Sequence, residues 1–124
     1  HNRTMPIKVG LNGFGRIGRL AFRGAWDRPE IEIVHVNELK GGAKTSAYML
    51  QYDSVHLKWG DHQCIESEDG KSFTVDGRKI GFSESPTIEG VPWKELGCEM
   101  VLECTGNFLS SKVLQPYLDG GVKR

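Results

Sequence analysis

Lys8-Val9-Gly10-Leu11-Asn12-Gly13-Phe14-Gly15-Arg16-Ile17-Gly18-Arg19, with an acidic residue downstream at Glu38, is the stretch on which the fold turns. Apolar Val9 and Leu11 sit at alternate positions as in a strand, Gly13 breaks that strand where a turn is needed, and helical spacing begins at Gly15. Each glycine has a task. Gly13 permits a tight turn, Gly15 lets backbone approach a phosphate with no Cβ in the way, and Gly18 lets helix and strand pack closely. The N–H groups heading the helix, near Arg16 and Ile17, are donors at the positive end of its macrodipole, so a pyrophosphate satisfies both without a lysine. The segment predicts a dinucleotide cradle.

Working outward, Pro6 to Asn12 reads as the first strand and Gly15 to Trp26 as the helix, stopped by Asp27-Arg28-Pro29. Within that helix Ile17, Leu20, Ala21 and Ala25 recur at spacings of three and four and are expected to face the sheet, leaving Arg16, Arg19 and Arg23 in water. The β-branched run Ile31 to Val36 reads as a second strand, parallel to the first. Glu38 then stands 20 residues beyond Gly18, where an acid accepts hydrogen bonds from the adenosine ribose hydroxyls. That favours NAD over NADP. Two unit charges about 4 Å apart repel by roughly 4 kcal/mol at an effective dielectric near 20, before relaxation and screening, so a 2′-phosphate there requires help from Lys40 or Lys44.

Further along, Ala43 to Leu50 suits a short helix and Tyr52-Asp53-Ser54 the loop that leaves it. Between Gln63 and Phe82, short strands with turn signals at Glu68-Asp69-Gly70 and Asp76-Gly77 suggest an antiparallel hairpin inserted in the rhythm of the sheet. Pro92 to Leu96 suits one helical turn, Glu99 to Cys104 a buried strand, and Ser110 to Leu118 a helix that Pro116 kinks or ends early. The fold class expected is α/β: a doubly wound, mostly parallel sheet of Rossmann type, covered on both faces, carrying an antiparallel hairpin and stopping before its last strands. In such a sheet the ligand lies at the carboxyl ends of the strands, where strand order reverses.

The chain has 124 residues with 38% hydrophobic content, enough for about one modest core. Sixteen basic residues balance sixteen acidic ones, so no global field favours nucleic acid or an anionic membrane. No apolar run approaches the roughly 20 residues of a membrane span and the N-terminus lacks a signal pattern, so a cytoplasmic location is expected. His1-Asn2-Arg3-Thr4, ahead of Met5, resembles the remnant of an expression tag, which makes residues 5–124 the domain. Cys64, Cys98 and Cys104 are odd in number and widely spaced, which fits neither a disulfide framework nor a metal site. No base stands near Cys104 in sequence, so it is not read as a nucleophile.

Three further groups join the glycine string: Val36-Asn37-Glu38, Tyr52-Asp53-Ser54-Val55-His56 and Glu103-Cys104-Thr105-Gly106. From about Pro6 to Arg124 the chain resembles the N-terminal NAD domain of the phosphorylating glyceraldehyde-3-phosphate dehydrogenases. The resemblance implies that Asn12, Gly13, Gly15, Arg16 and Ile17 line the pyrophosphate, Glu38 the adenosine ribose, and Thr105 and Gly106 the cofactor at the end of a strand. It implies NAD as cofactor, a homotetramer at full length, and a place in glycolysis, where the enzyme oxidises and phosphorylates glyceraldehyde 3-phosphate to 1,3-bisphosphoglycerate. Glu38 stands where the family commonly has aspartate, Ser85 where many members carry an arginine beside the adenine, and Leu57 where a glycine is usual.

In that family a Ser-Cys-Thr-Thr-Asn cysteine attacks the aldehyde and a histidine activates it, and neither motif occurs before Arg124. His35 is expected to be buried on its strand, and His56 and His62 to be loop residues. The 124 residues alone are therefore expected to bind cofactor without turnover, with no catalytic residue and the catalytic domain absent. Val-Asn-Glu together with Pro92-Trp93-Lys94-Glu95-Leu96 also resembles erythrose-4-phosphate dehydrogenase, the alternative for the substrate. Two other classes remain: a methyltransferase holding S-adenosylmethionine, which also uses a glycine turn and a downstream acid, and a non-catalytic nucleotide-binding or redox-sensing module.

Overall fold

The computed structural model describes residues 5–53 and 57–105. The expected helix from Ser110 to Leu118, and the site residue Gly106, lie outside them. The elements run β1 (Ile7–Asn12), α1 (Arg16–Trp26), β2 (Ile31–Asn37), α2 (Gly42–Gln51), β3 (Tyr52–Asp53), β4 (Leu57–Lys58), β5 (Cys64–Glu66), β6 (Ser72–Val75), β7 (Arg78–Ser83) and β8 (Met100–Glu103). Six of the strands form one sheet in the order β5-β6-β7-β2-β1-β8. The four strands β7, β2, β1 and β8 are mutually parallel, while β5, β6 and β7 pair antiparallel.

Hairpin and sheet are more closely joined than the sequence reading supposes. The turns around Gly70 and Gly77 reverse the chain as expected, but β7 then lies parallel to β2, with His35, Val36 and Asn37 opposite Gly81, Phe82 and Ser83. The excursion thus returns as a full member of the sheet. Tyr52 and Asp53, expected in a loop, instead form a two-residue ladder with Lys58 and Leu57. Pro92 to Leu96 is a series of turns whose Leu96 N–H donates to the Pro92 carbonyl at 3.0 Å, a single helical step. β8 is half-buried where a buried strand was expected, because among the described residues it is an edge strand.

Helix α1 sits at a different rotation from the one its aliphatic spacing suggests. Gly18, Phe22 and Trp26, at steps of four, form its buried stripe; Ala21 and Ala25 pack partly buried against the core as expected, while Ile17 is 65% and Leu20 40% exposed. Two causes act together. A Cβ on Gly18 would stand 2.2 Å from the Gly13 carbonyl oxygen, so position 18 must face the turn. The aromatic rings bury more area than Ile17 and Leu20 and take the core. Phe22 stacks on Trp26 with ring centroids 5.4 Å apart, and Phe14 meets Phe22 edge-on at 5.6 Å.

Arg23, expected in water, instead reaches across to α2, its guanidinium donating to the Leu50 carbonyl at 2.6 and 3.1 Å. A cation there satisfies a carbonyl left over at a helix end and complements the dipole. Arg23→Ala is expected to lower stability by about 2 kcal/mol, as for a lost charged hydrogen bond. Urea denaturation is the check, and a change within experimental scatter would show the tie to be incidental.

Helices α1 and α2 cover one face of the sheet, where Phe22 of α1 packs with Val9, Leu11, Val36, Phe73 and Ile80 of the strands. Among the described residues the second face is covered by Ile88, Val91, Trp93 and Cys98, packed against Val34 and Val101 of the sheet. Both faces are covered, as expected, and the part of the second cover that lies among the described residues is turn-rich chain. No helix among the described residues is long and apolar enough to cross a membrane.

Candidate functional site

The carboxyl ends of β1, β2, β7 and β8 converge on a cleft of about 300 Å³. Its floor is Asn12 and Gly13 at the end of β1 and Asn37 at the end of β2; Gly15 opens the helix side, and Cys104 and Thr105 follow β8. Glu38, Leu39 and Lys40 form one rim with Ser85 and Pro86. Five of the expected residues, Asn12, Gly13, Gly15, Glu38 and Thr105, therefore meet in one place. Arg16 and Ile17 do not line the cleft; they are exposed beside it as the first residues of α1.

The glycine turn is built as its spacing requires. Gly13 has φ +98°, and a Cβ there would lie 2.8 Å from the backbone of Cys104 and Thr105, so any larger residue forces β1 and β8 apart. Gly15 is the opposite case, with nothing within 4 Å of where a Cβ would stand. No side chain caps α1 at Gly15, and its first turn holds no acid. The helix thus presents amide donors and positive partial charge to open space, which suits a diphosphate.

Glu38 is held by the turn it faces. One carboxylate oxygen accepts the Phe14 N–H at 2.6 Å and the other the Lys40 N–H at 3.1 Å. Each oxygen has a second lone pair, so the carboxylate is fixed in direction with acceptor capacity left for ribose hydroxyls.

Behind the floor, His35 is buried. Ser83 Oγ donates to Asn37 Oδ1 and so accepts from His35 Nε2 at 2.8 Å, which leaves His35 Nδ1 the bare nitrogen, without a hydrogen-bond partner against Gly81. Burial holds this imidazole down at about 4 from an ordinary 6.5. Between those values the unfolded chain binds the proton and the folded one does not, so stability falls as pH drops through that window. The full loss, reached near pH 4, is about 3 kcal/mol. Denaturation midpoints at pH 7, 5.5 and 4.5 are expected to fall in that order, less steeply in His35→Gln; parallel profiles would show that His35 does not govern the slope.

The cysteines are free thiols. Burial, then the Glu103 charge, raises Cys104, and burial pushes Cys98 up to about 11. Raised thiols are poor nucleophiles at neutral pH. Among the described residues no three His, Cys, Asp or Glu side chains are grouped to hold a metal. His62 is bound up elsewhere, with Nδ1 2.6 Å from Asp76.

With that geometry in hand, comparison with known proteins is decisive. Residues 7–111 match the family model described as "Glyceraldehyde 3-phosphate dehydrogenase, NAD binding domain". The chain belongs to this family. As a glyceraldehyde-3-phosphate dehydrogenase NAD-binding domain, it has NAD as its cofactor. It is 48% identical to glyceraldehyde-3-phosphate dehydrogenase 3 of Nostoc sp., over 97% of this chain and 35% of that protein. It is 43% identical to the glyceraldehyde-3-phosphate dehydrogenase of Colletotrichum lindemuthianum, over 96% and 34%. A Giardia intestinalis relative, glyceraldehyde-3-phosphate dehydrogenase 1, is 41% identical over 97% and 35%. The chain spans about a third of the length of these curated relatives.

The dehydrogenase domain also shows what sequence reasoning missed. Asn37, Leu39 and Lys40 flank Glu38 and were within reach of the same motif. Pro86, and the side of the cleft it shares with Ser85, depend on β7 running parallel beside β2, which the turn signals did not reveal.

Proposed function

We propose that this domain serves an enzyme that oxidises and phosphorylates glyceraldehyde 3-phosphate to 1,3-bisphosphoglycerate. Bound NAD supplies a nicotinamide ring that takes up hydride. The open space at Gly15, beside uncapped helix amides, is the observation that carries the reading. Asn12, Gly13, Gly15 and the amides of Arg16 and Ile17 hold the pyrophosphate; Glu38 orients the adenosine ribose; Thr105 and Gly106 support the cofactor beyond β8. The names of the relatives support the substrate, and three free thiols suit a reducing, cytoplasmic setting. A homotetramer is the assembly we assign to the full-length enzyme.

Titration calorimetry tests the binding step: NAD is expected to bind, NADP at least tenfold more weakly because its 2′-phosphate meets the Glu38 carboxylate, and S-adenosylmethionine not at all. Preference for either competitor would overturn the assignment. For the substrate, the full-length polypeptide is expected to turn over glyceraldehyde 3-phosphate faster than erythrose 4-phosphate, and the reverse order would replace it.

A further inference from the structure

Ser83, Asn37, Asn12 and Glu103 are register partners across four parallel strands, one at the carboxyl end of each. Their side chains form a continuous row of hydrogen bonds. Asn12 Nδ2 donates to Glu103 Oε1 at 3.0 Å, Asn37 Nδ2 donates to Asn12 Oδ1 at 2.8 Å, and Ser83 Oγ donates to Asn37 Oδ1 at 2.7 Å. His35 Nε2 adds the far end, 2.8 Å from Ser83 Oγ. Every donor in the row points toward Glu103.

An asparagine amide has nearly the same shape with its oxygen and nitrogen exchanged, so a row of them has no direction of its own. Two partners of fixed role break the tie, the main chain of Ser85 at Asn37 and the carboxylate of Glu103, which only accepts, at Asn12. With Glu103 ionised, the Asn12 nitrogen must face it and the Asn12 oxygen must face Asn37, the same sense that the Ser85 main chain demands of the Asn37 amide. Asn37 then clasps the main chain of Ser85, donating to its carbonyl at 2.9 Å and accepting its N–H at 2.9 Å. The other oxygen of Glu103 accepts both the N–H and the hydroxyl of Thr105. Thr105 follows β8 and Ser85 follows β7, the two ends of this row of four strands, and both line the cleft.

We infer that Glu103 is a positioning residue whose carboxylate is the acceptor that completes the Asn12–Asn37 amide row, locking the polarity that Ser85 starts, and through that row ties together the two sides of the cofactor cleft. The inference rests on the cleft being the NAD site, and it assigns Glu103 no contact with cofactor. Charge-assisted bonds at one end polarise the bonds behind them, so the effect reaches across three strands.

Glu103→Gln keeps size and removes the charge. Its amide can accept from Asn12 or from Thr105, and the remaining donor faces an N–H. NAD affinity is expected to fall roughly tenfold. The side-chain NH₂ resonances of Asn37, two strands away, are expected to shift while the backbone amides of β2 stay in place, a pattern that a merely structural role would not give. Adding Asn12→Asp returns a carboxylate to the row, accepting from Asn37 on one side and from the new amide on the other. It should restore thermal stability and the Asn37 resonances, whatever its effect on NAD. If Glu103→Gln alone does not fold, recovery of a folded double variant supports the inference and its absence overturns it. Unchanged Asn37 resonances with unchanged NAD affinity in a folded Glu103→Gln protein would also overturn it. If the wild-type chain takes up no NAD, the binding assignment fails and the amide resonances alone decide the role of Glu103.

Discussion

Gly18→Ala is expected to abolish useful cofactor binding while leaving most of the sheet intact. The added methyl would stand 2.2 Å from the Gly13 carbonyl oxygen and 3.1 Å from its carbon, and neither atom belongs to a flexible side chain. Relief requires α1 to move off β1 or the turn to open. Either displaces the helix amides from the position a diphosphate needs, because the Gly13 N–H is itself held by the Asn37 carbonyl at 2.8 Å. Overpacking of this severity costs about 3 kcal/mol, which corresponds to roughly a hundredfold loss in affinity when it falls on the bound geometry. Calorimetry against NAD, with circular dichroism as a fold control, reads the result directly. A Gly18→Ala protein that binds NAD within threefold of wild type would mean that the helix does not depend on this contact. Gly24, on the same helix and with nothing within 4 Å of its absent Cβ, is the matched control: Gly24→Ala is expected to bind normally.

Trp93→Ala should produce the largest stability loss of any single truncation on the second face of the sheet. The indole is 1% exposed, its Nε1–H donates to the Ile88 carbonyl at 3.1 Å, and its ring lies where a Cβ on Gly10 would come within 2.7 Å. Removal leaves a cavity among Ile88, Val91 and Cys98 and an unpaired carbonyl, for which about 3–5 kcal/mol is the usual range. Folded domains hold only about 5–15 kcal/mol in all. Trp93 anchors the turn-rich segment that follows Ser85 and Pro86, so NAD affinity should fall with stability. Urea denaturation is the measurement, and a loss below about 1 kcal/mol would show that the loop cover does not depend on its indole.

The parts of this fold that were legible in the sequence are those written locally. Gly13, Gly15 and Gly18 act within a few residues of one another, and the β1-α1-β2 unit, α2 and both hairpin turns follow from nearby spacing. What stayed hidden depends on partners far away in sequence. The rotation of α1 was set by the contact between Gly18 and the Gly13 carbonyl and by Phe22 and Trp26, while Ile17 and Leu20 offered an equally regular but weaker stripe. Strand β7 looked like the tail of a hairpin because its parallel pairing with β2 is a long-range fact. The amide row was invisible for the same reason, since Asn12 and Glu103 are 91 positions apart and meet only through the register of β1 and β8. Asn12, Gly13, Gly15, Glu38 and Thr105, which the sequence puts at one site, line one cleft because their local spacing carries that geometry, whereas the side chains that link them across strands have no local signature.

The three tryptophans are divided between the two faces of the sheet. Trp26 and Trp59 lie 6.2 Å apart on the helical side, and Trp93 stands alone on the other, edge-on to His35. Their emission therefore carries two separable signals. A protein keeping only Trp93 reports the loosening of the loop-covered half, and one keeping only Trp26 reports the helical half. Comparing their melting traces reveals whether the two hydrophobic layers come undone in one event or in sequence.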